Sequence, residues 1–294
     1  MSVQAQRNRA GAVMMLLAIA LFALMDAALK QLATHYPALQ MAALRGVASL
    51  PFVLLWALPT VGVRGLLRVR WPLHLLRGVM AVAMMTTFIY ALGRLPLSTV
   101  YALFFIAPLL VTALSVPILR ERVGPRRWMA IVVGLIGVLV VLRPAGDGLA
   151  SVAGLAVLVS ALGYAVSAVV VRVLSRSDST QAMVFWMLVL LSLGAGALAW
   201  PQWRLVQTEH LWLLAAIGLT GALGQFAITR AFALGEASVV APLEYSALLW
   251  SLALDLALWG VLPDGITWLG AGIIIASGLY LIRREAHHAE AEHP

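Results

Sequence analysis

Cysteine is absent from the 294 residues. That excludes disulfides, thiolate metal sites and a cysteine nucleophile, and it leaves the redox compartment undetermined. Lys30 is the only lysine, so the glycine-rich, lysine-containing loop that cradles nucleotide phosphates cannot be built and ATP hydrolysis by this chain is excluded. The six histidines, His35, His74, His210, His287, His288 and His293, fall in loops, at helix ends or in the tail. No His-Glu-x-x-His and no nucleophile elbow occurs. An intramembrane hydrolase, which needs a nucleophile with its base or a metal pair at depth, lacks its parts. No enzyme activity, no cofactor and no metal site is expected. Charge is scarce too, at 11% of residues, while 63% are hydrophobic and mean hydropathy is +0.97. A globule of this size needs a polar surface, so lipid must be the solvent for most of the chain.

What is present is a succession of apolar runs, each near the roughly 20 residues that an α-helix needs to cross a bilayer. The runs lie at 11–32, 38–58, 72–92, 97–119, 128–143, 149–173, 182–200, 211–233, 237–261 and 266–282. Short breaks rich in Gly, Pro, Ser and Arg separate them, among them "LPTVGVRG" at 58–65 and "RERVGPRR" at 120–127. Such short connections predict antiparallel packing of neighbouring helices and leave no room for a soluble domain. The first run lacks a small-residue cleavage site and is expected to be retained as a helix.

The net charge of +8 arises at the ends of these runs. With the N-terminus in the cytoplasm, the inner side collects fifteen arginines, Arg77 among them, and the outer side keeps Lys30, Arg45, Arg94, Arg143 and Arg204. Lys and Arg in short loops favour the cytoplasmic side. Both termini are therefore expected inside, the lipid bilayer is the partner, and no nucleic acid is implied. Trp56, Trp71, Trp128, Trp200, Trp203, Trp212, Trp259 and Trp268 fall near the span ends, as an interfacial belt requires.

A shift of about 140 residues lays 91–144 over 231–284, with Ser98 on Ser238, Phe105 on Tyr245, Ala107 on Ala247 and Trp128 on Trp268. A similar shift brings the run from Gly11 onto the run from Gly154. The expected fold is an all-α integral membrane protein of ten transmembrane helices arranged as two inverted five-helix repeats. The halves are 1–144 and 145–284, followed by a polar cytoplasmic tail at 285–294. An odd number of crossings turns the second half upside down, and inverted repeats put a binding site near the midplane and suit alternating access.

The stretch "YALGRLPLSTVYALFFIAPLLVTALSVPILRERVG", followed by Trp128 and the Gly-rich "VVGLIGVLVV", resembles the EamA repeat of the drug/metabolite transporter superfamily. The resemblance covers essentially the whole chain, twice. It implies ten helices with both termini inside. It also implies a bacterial inner-membrane secondary transporter that exports amino acids or related small metabolites; members include an aromatic amino acid exporter. The second repeat departs from the pattern, with Val261 in place of Glu121 and Leu248 in place of Pro108. The motif glutamate is carried onto Glu121 only, where Arg120 and Arg122 make it a salt-bridged helix end. Two alternatives stay open: carriage, in either direction, of other amphipathic metabolites or drugs, and a structural or regulatory membrane protein without transport.

Candidate site residues come from polar and aromatic groups inside spans. On one continuous α-helix, Glu244 and Asp255 would return to nearly the same face, about 16 Å apart. Ser238, Ala241, Tyr245, Leu248 and Ser251 would share their stripe. The counterpart stripe runs from Ser98 through Tyr101, Phe104, Phe105, Pro108 and Thr112 to Ser115. Ionisable groups at membrane depth usually face a cavity or a partner, so Glu244 either lines a cavity or is a protonated carboxyl bonded to a neighbouring helix. Asp255 lies nearer the outer surface. Tyr90, Tyr164 and Trp186 are aromatic candidates for the same cavity, and Gln225 for a hydrogen bond within it. Lys30 follows Asp26 by one turn, the spacing of an ion pair, or snorkels to the interface. Arg45 is an anion contact or a second partner for Asp26. Aromatic walls with a few polar groups suit an amphipathic cargo such as a neutral or aromatic amino acid. The carrier is expected to act as a monomer.

Overall fold

The computed structural model describes residues 3–32, 35–92, 103–120, 124–142, 152–260 and 265–291. Tyr101 and Glu121 lie outside these residues. The helices are α1 (Val3–Leu32), α2 (Ala38–Leu67), α3 (Trp71–Leu92), α4 (Ala107–Leu119), α5 (Pro125–Leu142), α6 (Val152–Leu174), α7 (Thr180–Ala199), α8 (Leu211–Leu234), α9 (Ala247–Trp259) and α10 (Gly265–Ala291). A helical turn Ala237–Val240 and a 3-10 turn Ala241–Ser246 lead into α9. Among the described residues, no strand occurs and five helical stretches are long and apolar enough to cross a membrane. Those five are Val3–Leu29, Leu39–Leu67, Val152–Leu174, Thr180–Gln202 and Thr208–Leu234.

Several expected boundaries move, each for a local reason. The break placed at 58–65 is instead helical as far as Val61, with Pro59 inside it, and the direction changes at Gly62 (φ 64°, ψ 176°). Glycine takes this left-handed φ without steric cost. The run 97–119 is not one helix. Phe105 and Ile106 form a turn, and α4 starts afresh at Ala107 with Pro108 in its first turn, where the missing N–H costs nothing. The second-half counterpart breaks as well, because Pro242 opens the 3-10 turn. The single helical wheel drawn through Glu244 and Asp255 therefore does not hold; 3-10 geometry over 241–246 rotates the chain faster than an α-helix. At the C-terminal end, α10 runs on to Ala291 through residues expected to form a tail.

The short connections reverse the chain, yet the main packing is not between consecutive helices. Instead α1 packs on α8, α2 on α7 and α8, α3 on α6 and α7, and α5 on α10. Each pairing joins an element before residue 144 to one after 151. Small residues let these backbones approach closely. A Cβ at Gly11 would lie 2.8 Å from Gly235 Cα, and one at Gly218 would strike the Ala48 carbonyl. The buried cluster around Met15, Val171, Met183 and Phe232 then joins α1, α6, α7 and α8. Exposed Trp71, Trp200, Trp203, Trp212 and Trp268 ring the ends.

Candidate functional site

Four helices turn matched stripes toward one cavity of about 230 Å³. From α1 come Phe22, Met25 and Asp26; from α3, Arg77, Ala81 and Met84; from α6, Tyr164, Ser167, Ala168 and Val171; from α8, Gln225, Ile228, Thr229 and Phe232. The spacings are i, i+3, i+4 and i+7, which a helix lays along one face. Arg45 from α2, Phe104 from the segment before α4, and Met187 from α7 complete the wall. The volume lies just below the roughly 300–1,000 Å³ of drug-sized ligand sites, so the cavity suits a small metabolite.

Charge is concentrated in three side chains. Asp26 lies deep in the protein yet is solvent-accessible, because the cavity reaches it. The Arg45 guanidinium attracts it electrostatically and lies 5.2 Å from the centroid of the Phe22 ring. The Arg45 Nε is buried with no hydrogen-bond partner. Both roles stay open to Arg45: Asp26 attracts it, and one of its donors is unused. Arg77, counted above with the cytoplasmic loops, is instead 2% exposed. Its Nη1 donates to the Met183 carbonyl at 3.0 Å and its Nε to Ser167 Oγ at 3.4 Å. Sequence distance from the end of α3 was a poor guide, because packing against α6 and α7 draws the side chain inward. Gln225 Nε2 donates to Thr229 Oγ1 at 3.5 Å, one turn along α8.

Behind the wall lies Glu244, 6% exposed, which is not among the described residues lining the cavity. The Tyr164 hydroxyl hydrogen-bonds its carboxyl, while Oε1 is buried without a partner. Phe88, Phe104 and Tyr164 form a chain of rings with centroids 5.3 and 5.8 Å apart, so aromatic surface connects the cavity to this carboxyl.

The remaining sequence candidates sit elsewhere. Tyr245 donates to the Phe105 carbonyl at 3.2 Å, and both belong to a buried cluster with Leu248 and Ile274. The Trp186 indole N–H donates to the Leu66 carbonyl at 2.7 Å and its ring meets Trp71 at 4.4 Å, which makes it a packing residue at the end of α2. Tyr90 is 38% exposed. Pro108 is buried at the start of α4. Lys30 and Asp255 have helical backbone, and their side chains lie outside the described part. The structure thus brings together Tyr164, Gln225, Asp26 and Arg45 and adds Arg77, Phe22, Thr229 and three methionines that sequence reasoning missed. An arginine inside the span 72–92 was the one available signal.

At the end of the bundle that holds the start of α3, the His74 ring Nε2 meets Asp178 Oδ2 at 2.9 Å. The Arg70 backbone N–H donates to that oxygen at 2.9 Å and the Ser177 hydroxyl to Oδ1 at 2.7 Å. Burial pushes the Asp178 carboxyl up, but the hydrogen bonds from Ser177, Arg70 and His74 outweigh it and hold the group below the usual carboxylate range. Arg127 Nη1 donates to Glu236 Oε2 at 2.9 Å near the same end.

Residues 9–143 and 152–283 each match the EamA-like transporter family. The chain is 34% identical over 245 residues to a riboflavin transporter of Vibrio cholerae serotype O1, covering 82% of this chain and 81% of that one. It is 30% identical over 276 residues to the pseudopaline exporter CntI of Pseudomonas aeruginosa, covering 94% and 96%. An S-adenosylmethionine uptake transporter of Rickettsia prowazekii is 27% identical over 282 residues, covering 95% and 94%. One solved crystal structure superposes with a TM-score of 0.81 at 20% identity, over 92% of this chain and 96% of that one, and so shares the fold.

Proposed function

This chain belongs to the EamA-like transporter family, and on that premise we propose that it carries small amphipathic metabolites, foremost neutral or aromatic amino acids and their derivatives, across the bacterial inner membrane. It is a multi-pass membrane transporter rather than an enzyme. The observation that carries the substrate reading is the cavity wall. Asp26, Arg45 and Arg77 stand among Phe22, Phe104, Tyr164 and Phe232 in a space sized for one small molecule. The polar groups orient a charged head and the rings and thioethers accept an apolar body.

The proposed architecture is ten spans in two inverted halves, 1–144 and 145–284, with both termini cytoplasmic, acting as a monomer by alternating access. The contact between Phe105 and Tyr245 supports it. Residues equated by a two-fold rotation can touch only near the axis, and both sit where their helices break. Broken helices near such an axis are where carriers built of inverted repeats place their sites. The relatives named above carry riboflavin, pseudopaline and S-adenosylmethionine, and the last of these joins an amino-acid head to an aromatic base. Export is the direction implied by the sequence resemblance; one relative is named an exporter and another an uptake transporter.

Counterflow in proteoliposomes, read in both directions with labelled phenylalanine, leucine, S-adenosylmethionine and riboflavin, tests the proposal. Exchange of at least one amino acid or amino-acid derivative is expected. Exchange of riboflavin alone, or of nothing by a protein shown to be folded, would sink the amino-acid reading.

A further inference from the structure

We infer that Arg77 is the anchor for a carboxylate of the cargo, so that this carrier selects molecules bearing an anionic group over their neutral counterparts. The charges in the cavity wall do not balance. Asp26 and Arg45 attract one another, whereas among the described residues Arg77 has no carboxylate within ion-pair distance. Its two hydrogen-bond partners, the Met183 carbonyl and Ser167 Oγ, are neutral. The nearby acid beside the start of α3, Asp178, already accepts from Arg70, Ser177 and His74. Glu244 sits behind Tyr164 and outside the wall.

A guanidinium held at membrane depth without a counter-ion is costly, and water in the cavity offsets part of that cost. The two neutral contacts fix the plane of the guanidinium. A planar, pre-oriented fork is the geometry that suits a carboxylate. When cargo fills the cavity and water leaves, a neutral molecule strands the Arg77 charge, whereas an anionic one neutralises it. Selectivity then arises as the site is occluded. The rings of Phe22, Phe104 and Phe232 accept the body of the molecule, so the class assigned is that of small aromatic or branched-chain carboxylates, zwitterionic amino acids included.

This assignment deepens the carrier reading and rests on it for the occlusion step, but binding alone can test it. The probes are two matched pairs, phenylpropionate with phenylpropionamide and phenylalanine with phenylalaninamide, titrated against the detergent-solubilised full chain by ligand-induced shift of its melting temperature. In the parent, the carboxylate member of each pair should bind about tenfold to a hundredfold more tightly than its amide, the range of one charge-assisted contact. In Arg77→Gln that preference should fall to within about twofold, while Arg77→Lys, which keeps the charge but not the fork, should retain part of it. If Arg77→Gln does not fold, Ser167→Asp tests the same point, because it places an internal counter-ion beside Nε and should abolish the preference with Arg77 in place. A merely structural Arg77 would weaken both members of a pair alike. No preference in the parent, or an undiminished one in a folded Arg77→Gln or Ser167→Asp, overturns the assignment. If the carboxylates bind with the expected pattern but counterflow fails, the anion site stands and the transport reading falls.

Discussion

Tyr245 and Phe105, which a shift of 140 residues lays one over the other, touch. The Tyr245 hydroxyl donates to the Phe105 carbonyl and the two ring centroids are 5.8 Å apart. Gly134 on α5 packs against the Tyr245 ring, since a Cβ there would lie 3.1 Å from Cδ2. The hydroxyl and the ring therefore contribute separately. Tyr245→Phe should lose about 0.5–1.5 kcal/mol, the net value of one hydrogen bond, and Tyr245→Ala about 3–5 kcal/mol through the hole it leaves. Denaturation of the purified protein measures both, and equal losses would show that the ring adds nothing.

Tyr164 and Glu244 are expected to act as a unit. Glu244→Leu and Tyr164→Phe each remove one partner of the same hydrogen bond, so the double variant should lose no more transport than the more impaired single one, with a coupling energy of about 0.5–3 kcal/mol. Strict additivity of the two losses in counterflow would mean that Glu244 reaches the cargo by itself.

Gly11 tests how closely α1 must approach α8. A methyl group there would meet Gly235 Cα and N at 2.8 Å and the Ala231 carbonyl at 3.0 Å, all of them backbone atoms that cannot turn aside. Gly11→Ala should cost about 1–3 kcal/mol. At Gly272, where nothing lies within 4 Å, the same change should be neutral or stabilising by up to about 1 kcal/mol. Melting temperatures of the two variants, one lowered and one not, are the check.

The Asp178 cluster gives a dependence on pH with a definite sign. The folded carboxyl titrates below its unfolded value, so its contribution is present above the usual carboxylate pKa, about 4, and is lost as pH falls through the lower folded value. The melting-temperature gap between the parent and Asp178→Asn should persist at about pH 5 and above and close in stronger acid. A gap that instead widens in acid would show that the carboxylate is not the stabilised form.

Helix placement was legible because bilayer thickness imposes a length, and the run at 211–233 differs from α8 by a single residue. The proline at 242 was equally visible, but a helix at membrane depth tolerates proline by several routes, and here it opens a 3-10 turn. Asp26 and Arg45 were flagged with their pairing open. Arg77 was assigned to the cytoplasmic surface because counting along the chain cannot say which way a side chain near a helix end points. Glu244 was recognised as costly, and its position behind Tyr164 depends on contacts between α6 and the 3-10 turn that no single segment encodes.

The pairing of α1 with α8, α2 with α7 and α3 with α6 also bears on how the protein is made. When the first three helices enter the membrane, the partners that will cover Asp26, Arg45 and Arg77 have not yet been synthesised. The nascent chain must hold these charges in lipid, near the translocon or against one another until α6, α7 and α8 arrive. The two halves expressed as separate polypeptides should each be degraded when made alone and survive when made together, which makes assembly of the cavity the last step of biogenesis.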